Sequence, residues 1–289
     1  MQKILAGALA MGLVLGGGAR VAMAQDHTFE AVPMFENCGD GSYDRAVKDG
    51  VTIGIGPNPV YSYIDPQTKQ AMGLDVEIHK AVLDWLGIKS VKYEVMPFGD
   101  LVPALISKRV DVVGTNIHYT PARMKVVSFT GPSWWYGPAI IVRKGNPLGV
   151  KSFEELKGQT VGAMVGTAAD EYLQHVGANV SPFRANPENF VALAEGRVGI
   201  LMDDDVKFYA YKKANPDAQI EMVQNVKVPT ELIFKYGYGY ARYAVRKEDC
   251  SLRAAYTQGL EEVRGNETVS DILKKYGLSN RNLFYFPTN

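Results

Sequence analysis

From Val51 onward the chain alternates between two hydrophobic periods, and this limits its fold more than any other feature. Val51-Thr-Ile-Gly-Ile55 is a short apolar run, the form of a strand. Leu74, Ile78, Ala81, Val82, Trp85 and Leu86 recur at helical spacing, and Gly87 ends that helix. Val91 to Val95 predicts a second strand, and Asp100 to Lys108 a helix with Leu101, Leu105 and Ile106 facing inward. Val110 to Gly114 predicts a third strand. Strands spaced by helices build βαβ units and a parallel sheet.

The pattern restarts after Pro138. Ala139 to Val142 predicts a strand, and Ser152-Phe-Glu-Glu155 has the form of a capping box opening a short helix. Thr160 to Met164 predicts a strand that runs through Gly166-Thr167-Ala168 into a helix. Pro187 to Leu193 reads as helix, Gly199 to Met202 as a strand ending at Asp203-Asp204-Asp205, and Val206 to Ala214 as helix. Tyr236 to Val245 predicts a strand leading back, and Leu252 to Val263 and Val269 to Tyr276 the closing helices. Before the first set, Gln25 to Gly50 has weak periodicity and reads as an N-terminal extension. Val60 to Tyr63 alternates like a short strand, and Gln67 to Met72 reads as a turn. The expectation is two successive α/β sets.

Met1 to Ala24 has the form of a signal peptide: Lys3, an apolar Ile4–Gly17 run, then Ala22-Met-Ala24 before Gln25. The run is short for a membrane span, and no Cys follows it to carry a lipid anchor. The expectation is an exported, periplasmic chain cleaved after Ala24. Without Lys3 and Arg20, 29 of the 31 basic residues remain against 31 acidic ones. That balance makes no case for nucleic acid or a membrane surface. Cys38 and Cys250 form an even pair, which in an exported chain suggests a disulfide. Such a bond requires the two ends of the mature chain to meet.

The densest chemical signal is Asp111-Val-Val-Gly-Thr-Asn-Ile-His-Tyr-Thr-Pro-Ala-Arg123. Thr120 is a good N-cap and Pro121 suits the first helical position, which puts Arg123 in the first turn. Amides at a helix start attract anions, and an arginine fork can hold a carboxylate. A surface cap beside a solvated arginine is the plain alternative. Three successive Asp at 203–205 lack the alternation and glycine of a Ca²⁺ loop, so no metal is expected, nor any other cofactor.

The order of elements resembles the type II periplasmic solute-binding proteins, most of all the amino-acid-binding branch, solute-binding family 3 of ABC importers. The resemblance covers roughly Val51 to Leu278. It rests on Met72-Gly-Leu-Asp-Val-Glu-Ile-His-Lys-Ala81, on Met96-Pro-Phe98-Gly-Asp-Leu-Val-Pro-Ala-Leu105 with Val110-Asp-Val, and on Thr120-Pro-Ala-Arg123 followed by Phe129. It implies an α/β fold of two lobes, each a mainly parallel sheet flanked by helices, joined by two hinge strands. Lobe one would be 49–138 plus 243–289 and lobe two 139–242, with the crossings at Ala139–Val142 and Tyr240–Ala244. Cys38 and Cys250 then share a lobe.

Carried over residue by residue, the resemblance implies that Arg123 takes a ligand carboxylate. Asp204 would take an amino group, with Asp203 and Asp205 as alternatives or as caps of the next helix. The Gly166-Thr167-Ala168 turn would assist with the carboxylate, and Phe98 with Tyr61 or Tyr63 would supply aromatic faces. Trp134 and Trp135 match an aromatic pair near the hinge. His118 departs from the family's small hydroxyl residue, Asn116 from its usual Gly and Ala122 from its usual Glu, so Asn116 and His118 join the candidates. These departures move the expectation from the usual polar amino acids towards a modified amino acid or another small carboxylate bearing a cation. The implied function is substrate binding for an ABC importer, as a monomer partnered by the inner-membrane permease, and not catalysis. A dehydratase-type enzyme using His118 and the Asp cluster, or a sensory subunit, stands beside it.

Overall fold

The computed structural model describes residues 38–284 except 186. The leader expected at Met1–Ala24, and the extension as far as residue 37, lie outside the described residues. The remainder opens with α1 (Ser42–Asp49), followed by β1 (Val51–Ile55) and a small hairpin, β2 (Tyr63–Ile64) with β3 (Ala71–Met72). Next come α2 (Leu74–Trp85), β4 (Val91–Val95), α3 (Leu101–Ile106), β5 (Val112–Val113), α4 (Pro121–Met124) and β6 (Val127–Phe129). The middle of the chain holds β7 (Pro138–Arg143), β8 (Thr160–Met164), α5 (Ala168–Val176), β9 (Asn179–Phe183), α6 (Glu188–Ala194), β10 (Ile200–Asp204), α7 (Asp205–Ala214), β11 (Ile220–Met222) and α8 (Thr230–Phe234). Then β12 (Ala244–Arg246), α9 (Cys250–Gly265) and α10 (Thr268–Lys275) close it.

Two five-stranded sheets result, ordered β4-β1-β5-β12-β6 and β11-β7-β10-β8-β9. In the first, β12 runs against the other four strands; in the second, β7 does. The two reversed strands begin just after each passage of the chain between the sheets. The central strands β7 and β10 are buried on both faces and read as mainly apolar runs, whereas the edge strands β4, β9 and β11 carry polar residues. Along β7 the residues alternate, Ile140 and Val142 packing with one cluster and Ala139 and Ile141 with another. On the first sheet α2, α9 and α10 supply Ile78, Val82, Leu252, Leu260, Ile272 and Leu273 to one face; on the other, Leu101 and Leu105 of α3 pack with Val110 and Val113. Among the described residues no helix is long and apolar enough to cross a membrane.

Several expectations are corrected. Ile106 is half exposed, because α3 ends there and turns it outward. The expected capping box at Ser152 is absent: a single 3₁₀ turn runs Glu154–Leu156 without a side-chain cap, and Glu155 accepts from the Lys151 amide instead. The strand expected over Tyr236–Val245 shrinks to β12, since Gly237 and Gly239 adopt positive φ and bend the chain. Residues 42–49 are helical despite weak patterning. Only Ser42 and Ala46 of α1 are buried, so contacts to α9 hold it rather than an apolar stripe. Asp40 accepts from the amides of Ser42 and Ser251, and the Ser42 hydroxyl accepts from the Leu252 amide. Cys38 and Cys250 are disulfide-bonded beside these contacts, with Cα atoms 5.3 Å apart. The strands β9 and β11 and the helix α8 are too short or too polar to stand out by periodicity.

Candidate functional site

The cleft arises where strand ends of the two sheets face each other. From the first sheet, β1 runs into Gly56-Pro-Asn58 and the hairpin, β4 into Phe98, and β5 into Thr115-Asn116-Ile-His118. From the second, β8 runs into Gly166-Thr167 and β10 ends at Asp203-Asp204. Strand ends of this kind collect ligand groups because backbone polarity is exposed where the sheet stops. The cavity between them is about 50 Å³ and is lined by Tyr61, Phe98, Asn116, His118, Thr167, Asp204 and by Asn58, Thr115, Tyr136, Met164, Ala169, Met202, Asp203, Lys207 and Tyr238, among others.

Of the residues singled out in the sequence, Tyr61, Phe98, Asn116, His118, Thr167 and Asp204 thus meet at one cavity. Arg123 is not among the residues that line it, but packs against Phe98, which is. As expected, Thr120 caps α4, its hydroxyl accepting from the Arg123 amide. The guanidinium donates to the His118 carbonyl at 2.7 Å and, across the cleft, to the Gly166 carbonyl at 2.5 Å, and lies 5.3 Å from the Phe98 ring centre. Burial draws it down to about 10, so it stays charged at neutral pH. A second cross-cleft bond runs from the Thr120 hydroxyl to Glu171 at 2.9 Å. The Thr167 hydroxyl caps α5, accepting from the Asp170 amide and donating to the Met164 carbonyl. Ala168 is buried in α5, and its neighbour Ala169 reaches the cavity.

The Asp204 carboxylate has three side-chain partners in the cavity. Tyr61 donates to it at 3.0 Å, Tyr238 at 2.7 Å, and the Lys207 ammonium sits 2.8 Å away. Burial works to raise its carboxyl, but Lys207 and these donors prevail and hold it below the usual range. Asp203 accepts from Asn189 at 2.6 Å and from Lys207 at 2.8 Å; burial, with Asp204 adjacent, pushes its carboxyl up. Asp205 turns away to the Gly137 amide, and burial raises it to about 6. The His118 ring stacks on Tyr238 at 4.3 Å, and its Nε2 lies 2.6 Å from the Tyr136 hydroxyl and 3.1 Å from the Gly239 amide. An amide can only donate, so Nε2 is the acceptor, and burial holds the ring neutral down to about 3.

Behind the cavity, Asp75 at the start of α2 accepts from Trp134 Nε1, the Asn116 amide and the Tyr243 hydroxyl. It fixes the strand end that carries Asn116 and His118. Trp134 is therefore a buried donor, while Trp135 bridges to Tyr240. Sequence reasoning missed Lys207, Tyr136 and Tyr238. Lys207 had a signal, its i,i+3 and i,i+4 spacing from Asp204 and Asp203 at a helix start. Tyr238 lies in an alternation of Tyr and Gly whose turn geometry only the fold shows.

This arrangement, two α/β sheets meeting at a polar and aromatic cleft, defines a two-lobed solute-binding fold. Residues 51–279 match the bacterial extracellular solute-binding proteins, family 3, and the chain belongs to that family. It is 24% identical over 230 residues to the histidine-binding periplasmic protein of Escherichia coli K12, covering 78% of this chain and 86% of that one. It is 27% identical to the arginine-binding extracellular protein ArtP of Bacillus subtilis, over 71% of this chain and 77% of that one. Among solved structures it resembles an ancestral arginine-binding protein bound to arginine, with 30% identity, a TM-score of 0.67, and coverage of 78% of this chain and 97% of that one.

Proposed function

We propose that this chain is the periplasmic binding component of an ABC importer, capturing an amino acid or related small zwitterion between its lobes. The observation that carries the reading is one cleft with Asp204 lining it from the end of β10 and the buried Arg123 of α4 reaching across it to Gly166. Arg123 takes the ligand carboxylate in exchange for its backbone carbonyls, with the α5 amides after Thr167 assisting. Asp204 takes the amino group, and Phe98 and Tyr61 supply the flat walls. Asn116 and His118 contact the remainder. His118 is neutral and accepts a proton bond, which suits recognition better than proton transfer, since a general acid or base works best with a pKa near the operating pH. The reading is accordingly a binding protein and not an enzyme.

Lobe one is 49–138 with 243–289, and lobe two is 139–242. Support comes from the reversed strands: β7 contains the expected crossing Ala139–Val142, and β12 begins at Ala244, the end of Tyr240–Ala244. The leader ending at Ala24 directs export, and the disulfide suits an oxidising compartment. The protein acts as a monomer handing its ligand to a membrane permease. A thermal-shift screen of amino acids, opines, betaines and small carboxylates tests this. A ligand at 100 times its Kd should stabilise by about 2.7 kcal/mol, and a flat screen would count against the reading.

A further inference from the structure

The charges in the cleft do not leave room for a second ligand cation. Two carboxylates, Asp203 and Asp204, line the cavity, and the chain's own Lys207 bridges them at 2.8 Å each. Its ammonium also lies 5.6 Å from the Tyr61 ring centre, where an aromatic face and a carboxylate together make a cation subsite. Other acids nearby are committed elsewhere: Glu171 to Thr120, and Asp205 to the Gly137 and Val206 amides. With Lys207 neutralising one carboxylate, one negative charge remains for a ligand ammonium, and Arg123 remains for a carboxylate. A basic side chain would bring a further positive charge, desolvated and without a partner. The cavity is also small, about 50 Å³, space for a few water molecules.

We infer that Lys207 is a specificity-determining residue: it fills the cation subsite from within the chain, so the cleft selects amino acids with small uncharged side chains and rejects basic ones. This deepens the reading of the cleft proposed above and rests on it. It separates this chain from the relatives named for histidine and arginine.

The experiment is calorimetry of glycine, alanine, serine, glutamine, lysine and arginine against the full mature protein, Lys207→Met, and Lys207→Met combined with Asp203→Asn. Met keeps the apolar stem that borders a neighbouring recess lined by Pro59, Val60, Phe190 and Tyr211, so the variant removes charge rather than a wall. The wild type should bind an uncharged amino acid at least about tenfold more tightly than lysine or arginine. Lys207→Met should improve lysine or arginine by about tenfold or more relative to that ligand. The double variant, with one carboxylate and no lysine, should prefer uncharged side chains again. Wild-type binding of a basic amino acid as tight as of any uncharged one overturns the inference. So does a folded Lys207→Met whose preference stays within about threefold of wild type. If Lys207→Met does not fold, the wild-type panel and the double variant decide, and preference for a basic amino acid in either overturns it. No binding of any panel member by any of the three proteins overturns the reading of the cleft and this inference together; binding with unaltered preference overturns this inference alone.

Discussion

Arg123 shows how much of the site a sequence can carry at the scale of one residue. Thr120 and Pro121 place it by local rules, since a hydroxyl cap and a fixed φ need no tertiary information. Its partners were not readable, because the His118 and Gly166 carbonyls belong to two loops brought together only by the fold. The same division holds at Asp204: its place after a strand was legible, while Tyr61 and Tyr238, distant in sequence, were not foreseeable as its donors. Removing either charge strands the ligand group opposite, which typically costs about 2–5 kcal/mol, or about 30-fold to several thousand-fold in affinity. Arg123→Ala and Asp204→Ala should each nearly abolish binding of the best screened ligand while the fold persists. Calorimetry giving Arg123→Ala an affinity within about threefold of wild type would remove the carboxylate assignment. His118→Ser should alter ligand preference more than stability.

At the scale of elements, the strands and helices with strong periodicity fall where the sequence predicts them: β1, α2, β4, β8, α9 and α10. The failures have a common cause in tertiary override. The helix α1 has little to bury, and the glycines at 237 and 239 cut a strand that composition favours. The disulfide ties α1 to the start of α9 across 212 positions. Loss of a native disulfide in a small secreted domain typically costs about 2–5 kcal/mol, and the polar bonds from Asp40, Ser42 and Tyr43 to Ser251 and Leu252 would then hold α1 without it. Cys38→Ser with Cys250→Ser should lower the denaturation midpoint, and amide exchange should quicken first in α1. Unchanged protection of α1 would show that the Asp40 and Ser42 bonds suffice.

For the whole molecule, Asp75 joins α2, the Asn116 strand end, the Trp134 segment and the approach to β12. Burial raises its carboxyl from 3.8 to about 7 against those donors. A folded value above the unfolded one means its contribution is full below pH 3.8 and is lost as pH rises through about 7. Asp75→Asn cannot titrate and places an amide N–H₂ against donors, so it should destabilise, by less at pH 7 than at pH 4. Urea titrations at the two pH values check this; a cost that grows with pH would contradict it. Ligand binding should also close the lobes about Ala139–Val142 and Tyr240–Ala244. Scattering with saturating ligand should give a smaller radius of gyration, and an unchanged profile would argue against hinge motion.

The placement of β12 has a consequence for how the protein is made. Synthesis delivers the chain from its first residue, yet β12 sits between β5 and β6. The first sheet therefore stays split until residue 246 has emerged. The second sheet, drawn wholly from residues 138–222, is free to assemble earlier. The half that begins first is completed last: β4, β1 and β5 can pair with one another, but β6 and the open edge of β5 wait for β12. Cys250 follows β12 by only a few residues, so the bond to Cys38 needs the same late stretch of chain that completes the sheet.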